Sequence, residues 1–284
     1  MDKIIVDSFA KINLGLNVVR KREDGFHDLE TVFLPIMLSD TITFSHFDKM
    51  TFDSNNQQLI TMEDNLILRA IRILKSNSGI EFNLSIYVEK IIPIGGGLGG
   101  GSSNAAVTLK TINKMFNLGF TYSDLALFAL SLGSDVPYFL NPVTCYAESR
   151  GEILHPLNIE ISYPILIVNP GLMIETAWAF KKITPAIPLK SLRGVFTKGI
   201  LDFDELKSSV KNDFEEIVFE TFPEIKKIKD DLYDSGAEFA LMSGTGSTVY
   251  GIFTNLQKAA WAEDHFKQRY FTYLNIPFEK GSIT

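Results

Sequence analysis

A glycine-rich segment between residues 93 and 106 carries the clearest chemical signal in this chain. It reads Pro-Ile-Gly-Gly-Gly-Leu-Gly-Gly-Gly-Ser-Ser-Asn-Ala-Ala, with six glycines between Gly95 and Gly101. Glycine lacks a Cβ atom, so its backbone can adopt positive φ and lie directly against a ligand. Successive amide groups in such a loop converge on an anion, and a following helix adds the positive end of its dipole. The segment therefore predicts a phosphate-binding loop.

A flexible linker is the alternative for a glycine run, but linkers are usually polar on both sides. Here an apolar segment precedes the glycines, and an amphipathic helix follows them with Ala105, Leu109, Ile112 and Phe116 on one face. The pattern favours a loop between a strand and a helix.

Two familiar phosphate-binding motifs do not fit this segment. A P-loop requires lysine after the glycines, and no glycine in the chain is followed by lysine. Gly95, Gly97 and Gly100 match the spacing of the dinucleotide fingerprint, which also requires a second strand ending in an acid about 20 residues later. That region instead predicts a helix, a turn at 119–123 and another helix.

Asp135 and Lys11 are the candidate catalytic residues. Phosphoryl transfer requires a group that orients the attacking hydroxyl, and Asp135 fits that role, although an aspartate before Val-Pro at a helix start is often only an N-cap. Lys11 lies in an apolar strand, where it is either a surface lysine or a buried ammonium that keeps a neighbouring carboxylate ionised and lowers the pKa of a nearby hydroxyl. Both alternatives stay open for each residue.

Two further segments contain candidate ligand-binding residues. His27, beside Phe26, either stacks on and hydrogen-bonds a flat ring or merely occupies a turn. The glycine- and hydroxyl-rich residues 243–247 form either a second phosphate loop or a plain hairpin. The remaining histidines are scattered without metal-ligand spacing.

A mixed framework of strands and helices must position these residues. Alternating strands and helices with antiparallel hairpins predict an α+β protein with two domains, 1–160 and 161–284. The predicted strands are 3–19, 29–38, 41–47, 82–88, 146–154, 164–168, 237–242, 248–253 and 271–274. The predicted helices cover about 65–74, 102–116, 125–132, 175–182, 223–233 and 256–266, with a polar stretch from 182 to about 207.

Composition excludes several classes of protein. The 284 residues are 45% hydrophobic and carry a net charge of −7, so a large core is expected and a broad nucleic-acid surface is not. Cys145 is the single cysteine, which excludes intrachain disulfides and a cysteine-based metal cluster. Neither a signal peptide nor a run of about 18 apolar residues is present, so we expect a cytoplasmic protein without a membrane partner.

Five stretches together resemble the GHMP kinase family, small-molecule kinases with a glycine-serine loop in place of a P-loop. They follow the family's order from residue 10 to residue 248. The stretches are 10–14 with 21–27, 65–70, 93–106, 133–137 and 242–248.

The resemblance implies an amino-terminal domain of the ribosomal-protein-S5 type and a ferredoxin-like carboxy-terminal domain. The member that these stretches resemble most phosphorylates the 2-hydroxyl of 4-diphosphocytidyl-2-C-methyl-D-erythritol, with ATP and Mg2+, in the non-mevalonate isoprenoid pathway. A small-molecule substrate carrying a cytidine diphosphate is therefore expected, together with a monomer or weak homodimer.

The resemblance also assigns roles to individual residues. Lys11 and Asp135 match the catalytic pair, with Asp135 as general base or orienting group, and Phe26 replaces a tyrosine and so loses a hydroxyl. Ser102 and Ser103 are expected to face phosphate or Mg2+, and the metal ligands stay open. The residues implied in ATP binding are Asn65, Lys90, Pro93, Ile94, Gly95, Gly96, Gly97, Leu98, Gly99, Gly100, Gly101, Ser102 and Ser103. Those implied in substrate binding are Asn13, Phe26, His27, Thr176, Phe180, Gly244 and Thr245.

Two rival functions accompany this prediction. Another GHMP kinase would act on mevalonate, homoserine or a sugar, whereas Phe26 and His27 favour a cytosine-bearing substrate. A nucleotide-binding regulator without catalysis is the second rival, and the presence of Lys11, Asp135 and both glycine loops argues against it.

Overall fold

The computed structural model describes residues 3–159, 161–197, 199 and 201–277. The strands are β1 Lys3–Lys21, β2 His27–His46, β3 Thr51–Ser54, β4 Leu84–Glu89, β5 Cys145–Ser149, β6 Ile153–Pro156, β7 Ile165–Asn169, β8 Phe239–Met242, β9 Val249–Ile252 and β10 Phe271–Asn275. The helices are α1 Gln57–Thr61, α2 Leu66–Ser78, α3 Gly100–Met115, α4 Tyr122–Leu132, α5 Thr176–Lys182, α6 Leu192–Phe196, α7 Phe203–Ser209, α8 Glu215–Thr221, α9 Pro223–Asp234 and α10 Leu256–Phe266, with a 3-10 helix at Pro137–Leu140. This mixture confirms the predicted α+β class.

The chain divides into two compact units. The first contains residues 1–10, 37–94 and 99–142, and the second contains 11–36, 95–98 and 143–284. The glycine-rich segment therefore contributes to both units. The boundary near residue 160 stays a prediction, and Glu160 itself lies outside the described residues.

In the first unit, helices α2 and α3 pack against each other, and strands β3 and β4 are paired. The carboxy-terminal half of β2 pairs antiparallel with β4, which pairs parallel with β3. Helix α2 has Asn65 at its N-cap and buries Ile67, Ala70, Ile71 and Leu74, as the periodicity predicts.

The second unit contains a sheet with strand order β10-β7-β9-β8, all antiparallel. Helices α9 and α10 pack on this sheet. Along the chain, the four strands and the two helices packed on them follow the order β7, α9, β8, β9, α10 and β10, which is the ferredoxin-like arrangement, with α5 to α8 inserted between β7 and α9. The expected ferredoxin-like fold of this region is therefore confirmed. The amino-terminal half of β2 pairs with β5, and β5 pairs with β6.

Two strand predictions need correction. The two strands predicted at 29–38 and 41–47 are one strand, β2, from His27 to His46, because the chain does not turn at Asp40. Its buried carboxylate instead accepts hydrogen bonds from the amides of Ile91 and Ile92, each at 2.8 Å. Residues 146–154 form a hairpin of β5 and β6 rather than one strand, because Ser149 and Gly151 adopt positive φ of 64° and 103°.

The stretch predicted as polar up to about residue 207 also contains helical structure. Helices α6 and α7 begin there, and each has a side-chain cap. Ser191 accepts from the amide of Arg193, and Asp202 accepts from the amides of Asp204 and Glu205. Their shortness hides the helical period, so only the caps mark them in the sequence.

Candidate active site

In the second unit, the first half of the glycine segment lies directly on the loop 243–248. Ser243 Oγ donates to the carbonyl oxygen of Gly97 at 2.9 Å, and the amide of Thr248 donates to Gly96 at 3.2 Å. Gly97 has φ of +77°, and a Cβ atom there would lie 2.1 Å from the carbonyl oxygen of Ser243. Only glycine fits at this position, and the second loop supports the first.

Lys11 is buried beside this glycine segment, with 3% of its surface exposed. Its Nζ atom donates to Asn13 Oδ1 at 2.6 Å and to the Gly97 carbonyl at 3.5 Å, and it lies 5.0 Å from the centre of the Phe33 ring. The surface-lysine alternative is therefore excluded. A buried ammonium acts on nearby negative charge more strongly than a solvated one, because the local dielectric is low.

Asn13 links Lys11 to the second loop. Its main-chain N–H donates to Ser243 Oγ at 3.2 Å, and its side-chain Nδ2 donates to Thr31 Oγ1 at 2.8 Å. These contacts fix the orientation of the Asn13 side chain, so its Oδ1 atom is presented to the Lys11 ammonium.

His27 and Phe180 form a stacked pair elsewhere in the second unit. Their ring centres lie 5.1 Å apart with an angle of 28° between the planes, and His27 is 9% exposed. Burial lowers the pKa of His27 below its ordinary value, and the charge of Lys21 lowers it further. The imidazole is therefore neutral near pH 7. Phe180, which the resemblance implies in substrate binding, lies on α5, and its ring meets that of His27.

Phe26 is held differently, because a cation covers its ring. The Arg150 guanidinium lies 3.7 Å from the ring centre, and Phe26 is 48% exposed. A guanidinium on an aromatic face is favourable by cation–π attraction. One face of Phe26 is thus occupied by the protein itself.

Thr176, Gly244 and Thr245, the remaining residues implied in substrate binding, have different surroundings. Thr176 is exposed at the start of α5, whereas Thr245 is 9% exposed. Their hydroxyl oxygens lie 3.5 Å apart. A Cβ atom on Gly244 would lie 3.2 Å from the Cα atom of Gly97, so Gly244 is part of the support beneath the glycine segment.

In the first unit, the second half of the glycine segment begins helix α3. The N-cap, Gly99, has φ of 71° and supplies no side-chain hydrogen bond to the first turn. Ser102 is half-buried, whereas Ser103 is 2% exposed and its Oγ atom accepts from Ser8 Oγ at 2.7 Å. The two serines therefore differ, and Ser102 is the more accessible. Pro93 and Ile94, ahead of the glycines, are half-buried.

Asn65 and Lys90, which the resemblance implies in ATP binding, both make internal contacts. Asn65 accepts from the amide of Ile67 at 3.0 Å and donates to the Leu59 carbonyl at 3.2 Å. Lys90 Nζ lies 2.6 Å from Asp40 Oδ2, and burial lowers the pKa of Lys90 while Asp40 opposes that shift. A role in ATP binding stays a prediction for both residues.

Asp135 lies in the turn that joins α4 to the 3-10 helix at 137–140, and it is half-buried. The N-cap of that helix is Val136, whose side chain cannot accept a hydrogen bond, and Pro137 occupies the first turn. Asp135 directly precedes that N-cap, and its part in catalysis stays a prediction.

Sequence reasoning missed two buried polar residues that organise these regions. Asp40 contacts Lys90 in the first unit, and Asn212 donates to the carbonyls of Met242 and Gly244, both at 2.8 Å, in the second. The available signals were misleading, because an Asp after Ser resembles a turn and an Asn-Asp pair before a helix resembles a cap.

The described residues contain neither a preformed metal cluster nor a membrane helix. No group of three or more His, Cys, Asp and Glu side chains in that part of the chain is arranged to hold a metal ion. Likewise, none of the helices assigned within it is long and apolar enough to cross a bilayer.

Comparison with known proteins identifies the family. The model of the GHMP kinases N terminal domain matches residues 65–141, and that of the GHMP kinases C terminal region matches residues 196–271. A protein of Chlorobium phaeobacteroides (strain BS1), named 4-diphosphocytidyl-2-C-methyl-D-erythritol kinase, is 40% identical over 98% of this chain and 99% of its own. The chain belongs to the GHMP kinase family.

Other GHMP kinases extend the comparison. A relative of the same name from Thermodesulfovibrio yellowstonii (strain ATCC 51303 / DSM 11347 / YP87) is 38% identical over 92% of this chain and 93% of its own. A crystal structure of 4-(cytidine 5'-diphospho)-2C-methyl-D-erythritol kinase matches with a TM-score of 0.79 and 29% identity, covering 96% of this chain and 98% of its own. A homoserine kinase from Cytophaga hutchinsonii ATCC 33406, at 19% identity and a TM-score of 0.73, covers 98% of this chain and 95% of its own and supports the fold alone.

The expected two-domain GHMP kinase fold is thereby confirmed. GHMP kinases are ATP-dependent phosphotransferases, so this chain is a kinase that uses ATP and acts on a small molecule.

Proposed function

We propose that this GHMP kinase transfers the γ-phosphate of ATP to the 2-hydroxyl of 4-diphosphocytidyl-2-C-methyl-D-erythritol. The observation that carries the proposal is the near-full-length similarity to kinases named for that substrate, at 37–41% identity. The stacked His27–Phe180 pair, with Phe26 nearby in sequence, supports a flat heterocycle at one end of the substrate.

The phosphates of ATP are bound by main-chain amides of the glycine segment and by the first turn of α3. Positive φ at Gly95, Gly97 and Gly99, together with the absence of a side-chain cap on α3, supports this assignment. Mg2+, when bound with ATP, offsets the charge of the phosphate oxygens. Ser102 is the better candidate to contact phosphate or Mg2+, because the hydroxyl of Ser103 is buried against Ser8.

Lys11 and Asp135 act on the acceptor hydroxyl. Phosphoryl transfer passes through a loose transition state, so positioning and electrostatic stabilisation contribute more than a strong base does. The Lys11 ammonium, oriented by Asn13, supplies fixed positive charge, and Asp135 orients the hydroxyl or accepts its proton.

His27 recognises the edge of the cytosine ring. A neutral imidazole has one donor and one acceptor nitrogen, which suits a heterocyclic edge that itself offers both donors and acceptors. The lowered pKa of His27 keeps it in this form near neutral pH. Thr176, Gly244 and Thr245 complete the proposed substrate contacts. The proposal includes a cytoplasmic monomer or weak homodimer without nucleic-acid or membrane partners.

A coupled assay of ADP release tests the proposal. ATP and Mg2+ are supplied with one acceptor at a time: the cytidylyl acceptor, mevalonate, homoserine or galactose, with a reaction lacking acceptor as control. We expect turnover only with the cytidylyl acceptor. Turnover confined to another acceptor would place the substrate elsewhere in the family, and the absence of acceptor-dependent ADP release would favour the nucleotide-binding regulator.

The Asp135→Asn variant tests the role of Asp135. We expect kcat to fall by at least about 100-fold, the low end for a positioned acid–base group, with the Kd for ATP nearly unchanged. Wild-type turnover in this variant would show that Asp135 has no part in the reaction.

A further inference from the structure

Four consecutive residues, Asn212 to Glu215, contact several parts of the second unit at once; we call them the 212–215 run. They lie outside the five stretches that resemble the family. Asn212 and Phe214 are buried, and Asp213 and Glu215 are half-buried. Their side chains contact β1, α5 and the end of β8, so the run connects elements that are far apart in the sequence.

The two ends of the run hold the loop that supports the glycine segment. Asn212 Nδ2 donates to the carbonyl oxygens of Met242 and Gly244, both at 2.8 Å, and Glu215 Oε1 accepts from the amide of Met242 at 2.9 Å. These contacts fix the main chain on both sides of Ser243. Because Ser243 itself bonds to Gly97, the run acts on the glycine segment through the loop.

Asp213 and Phe214, in the middle of the run, contact two other parts of the unit: strand β1, which contains Lys11, and the His27–Phe180 ring pair. Asp213 Oδ2 accepts from the amide of Val18 on β1 at 2.7 Å. The ring of Phe214 packs edge-on against Phe180, with centres 4.9 Å apart and an angle of 80°. Phe180 in turn stacks on His27. Phe214 is fully buried, so its position is fixed by the core and it can fix that of Phe180.

We propose that the 212–215 run is a positioning element, in which Asn212 sets the loop beneath the glycine segment and Phe214 sets Phe180 against His27. The two residues affect different properties of the kinase. Asn212 affects the rate of the transfer step, and Phe214 affects the affinity for the acceptor. The assignment of Phe214 to acceptor selection depends on the proposed function.

Steady-state kinetics of two variants separates the role of Phe214 from that of Asn212. Phe214→Leu keeps an apolar core residue but removes the ring, and we expect the KM for the acceptor to rise about 2- to 10-fold, the range for loss of one aromatic pair, with the KM for ATP unchanged. Asn212→Ala removes two donors to buried carbonyls, and we expect kcat to fall about 10-fold or more with the acceptor KM nearly unchanged. A merely structural role would not divide the effects in this way.

A control and a double variant remove the remaining ambiguity. Val218→Ala creates a cavity in the same core while keeping every side chain of the loop and of the ring pair, so it should lower Tm and leave both KM values unchanged. If Phe214 acts through Phe180, Phe214→Leu should have no further effect on the acceptor KM in a Phe180→Leu background. Additive effects, or equal changes in both KM values, would overturn the proposal.

A measurement without substrate separates failure of this inference from failure of the proposed function. In the wild-type protein, stacking on Phe180 should displace the His27 Cε1 proton resonance by its ring current, and His27→Gln assigns that signal. We expect Phe214→Leu to reduce the displacement and Val218→Ala to preserve it. An unchanged resonance in Phe214→Leu would overturn the inference even if the kinase phosphorylates its acceptor. A reduced displacement would support the positioning role even if the acceptor were a different one.

Discussion

The proposed phosphate side and the proposed base side of the second unit are built by different kinds of contact. On the phosphate side, Lys11, Asn13, Gly97 and Ser243 are joined by hydrogen bonds, and the three side chains are nearly fully buried. On the base side, His27 and Phe180 meet through ring faces, and Phe180 is only half-buried.

The difference teaches how one fold can keep its chemistry while its acceptor changes. Hydrogen bonds between buried groups have strict geometry, and leaving one partner unsatisfied is costly, so the phosphate side is fixed. Ring contacts depend on area and shape, so they adapt when one ring is replaced. We therefore expect changes on the phosphate side to lower kcat or ATP affinity and changes on the base side to raise the KM for the acceptor.

Replacing Lys11 should lower kcat more than any other change on the phosphate side. In Lys11→Met the buried positive charge is lost while the chain length is kept, and we expect kcat to fall by at least about 100-fold, as for loss of a preorganised electrostatic group. Lys226→Met, which removes an exposed lysine on α9, is the control and should keep wild-type kcat. Steady-state kinetics measures both, and a kcat within twofold of the wild type for Lys11→Met would refute the assignment.

Crowding the glycine segment should weaken ATP binding. In Gly97→Ala the new Cβ atom meets the Ser243 carbonyl at 2.1 Å, so the loop must shift, and the residue also keeps an unfavourable φ of +77° that costs about 1–2 kcal/mol. We expect the Kd for ATP to rise about 10-fold or more, because backbone donors that move by a fraction of an ångström lose their phosphate contacts.

Gly79→Ala is the matched control for Gly97→Ala. Gly79 has φ of +66°, and a Cβ atom there meets nothing within 4 Å, so this variant has the backbone strain without the crowding. Calorimetric titration should show wild-type ATP affinity in Gly79→Ala. Equal loss of affinity in both variants would mean that strain, and not the fit between the two loops, explains the result.

Removing the imidazole should affect the acceptor alone. In His27→Ala we expect the acceptor KM to rise about 10-fold, the value for one or two lost hydrogen bonds, with the KM for ATP unchanged. His265→Ala on α10 is the exposed control and should leave both constants unchanged. A larger rise in the ATP KM than in the acceptor KM would place His27 on the phosphate side.

The smallest expected effect is the dependence on pH. Because burial lowers the pKa of His27, more than half of the imidazole is neutral at its ordinary pKa of 6.5. Protonation is more favourable in the unfolded chain, so the stabilising contribution of the neutral form is present above the ordinary value and is lost as pH falls below it. We expect the acceptor KM to rise as pH falls, with the midpoint of the rise below pH 6.5. A midpoint at or above pH 6.5 would contradict the lowered pKa.

Much of the framework could be predicted because its signals are local. The stripe of Ile67, Ala70, Ile71 and Leu74 fixed the buried face of α2, and Gly133 correctly marked the end of α4. The glycine-rich loop and the helix that follows it could also be predicted, since both depend on residue type and short-range spacing.

The rest depends on contacts between residues far apart in the sequence. Nothing near Asp40 indicates that its partner is Lys90, and without that partner the residue resembles a turn. The support of Gly97 by Ser243 and the role of Asn212 likewise arise only after folding. Local patterns predict elements, but not which buried polar groups pair.

Phosphorus NMR of the complete reaction tests the central claim most directly. Wild-type protein is mixed with ATP, Mg2+ and 4-diphosphocytidyl-2-C-methyl-D-erythritol, and the same mixture is followed with Lys11→Met. The account predicts that the γ-phosphate signal of ATP is replaced by one phosphomonoester signal on the acceptor, with the cytidine diphosphate signals preserved, and that Lys11→Met forms this product at least about 100-fold more slowly. Loss of the γ-phosphate to inorganic phosphate without a phosphomonoester, or equal product formation by the variant, would contradict it.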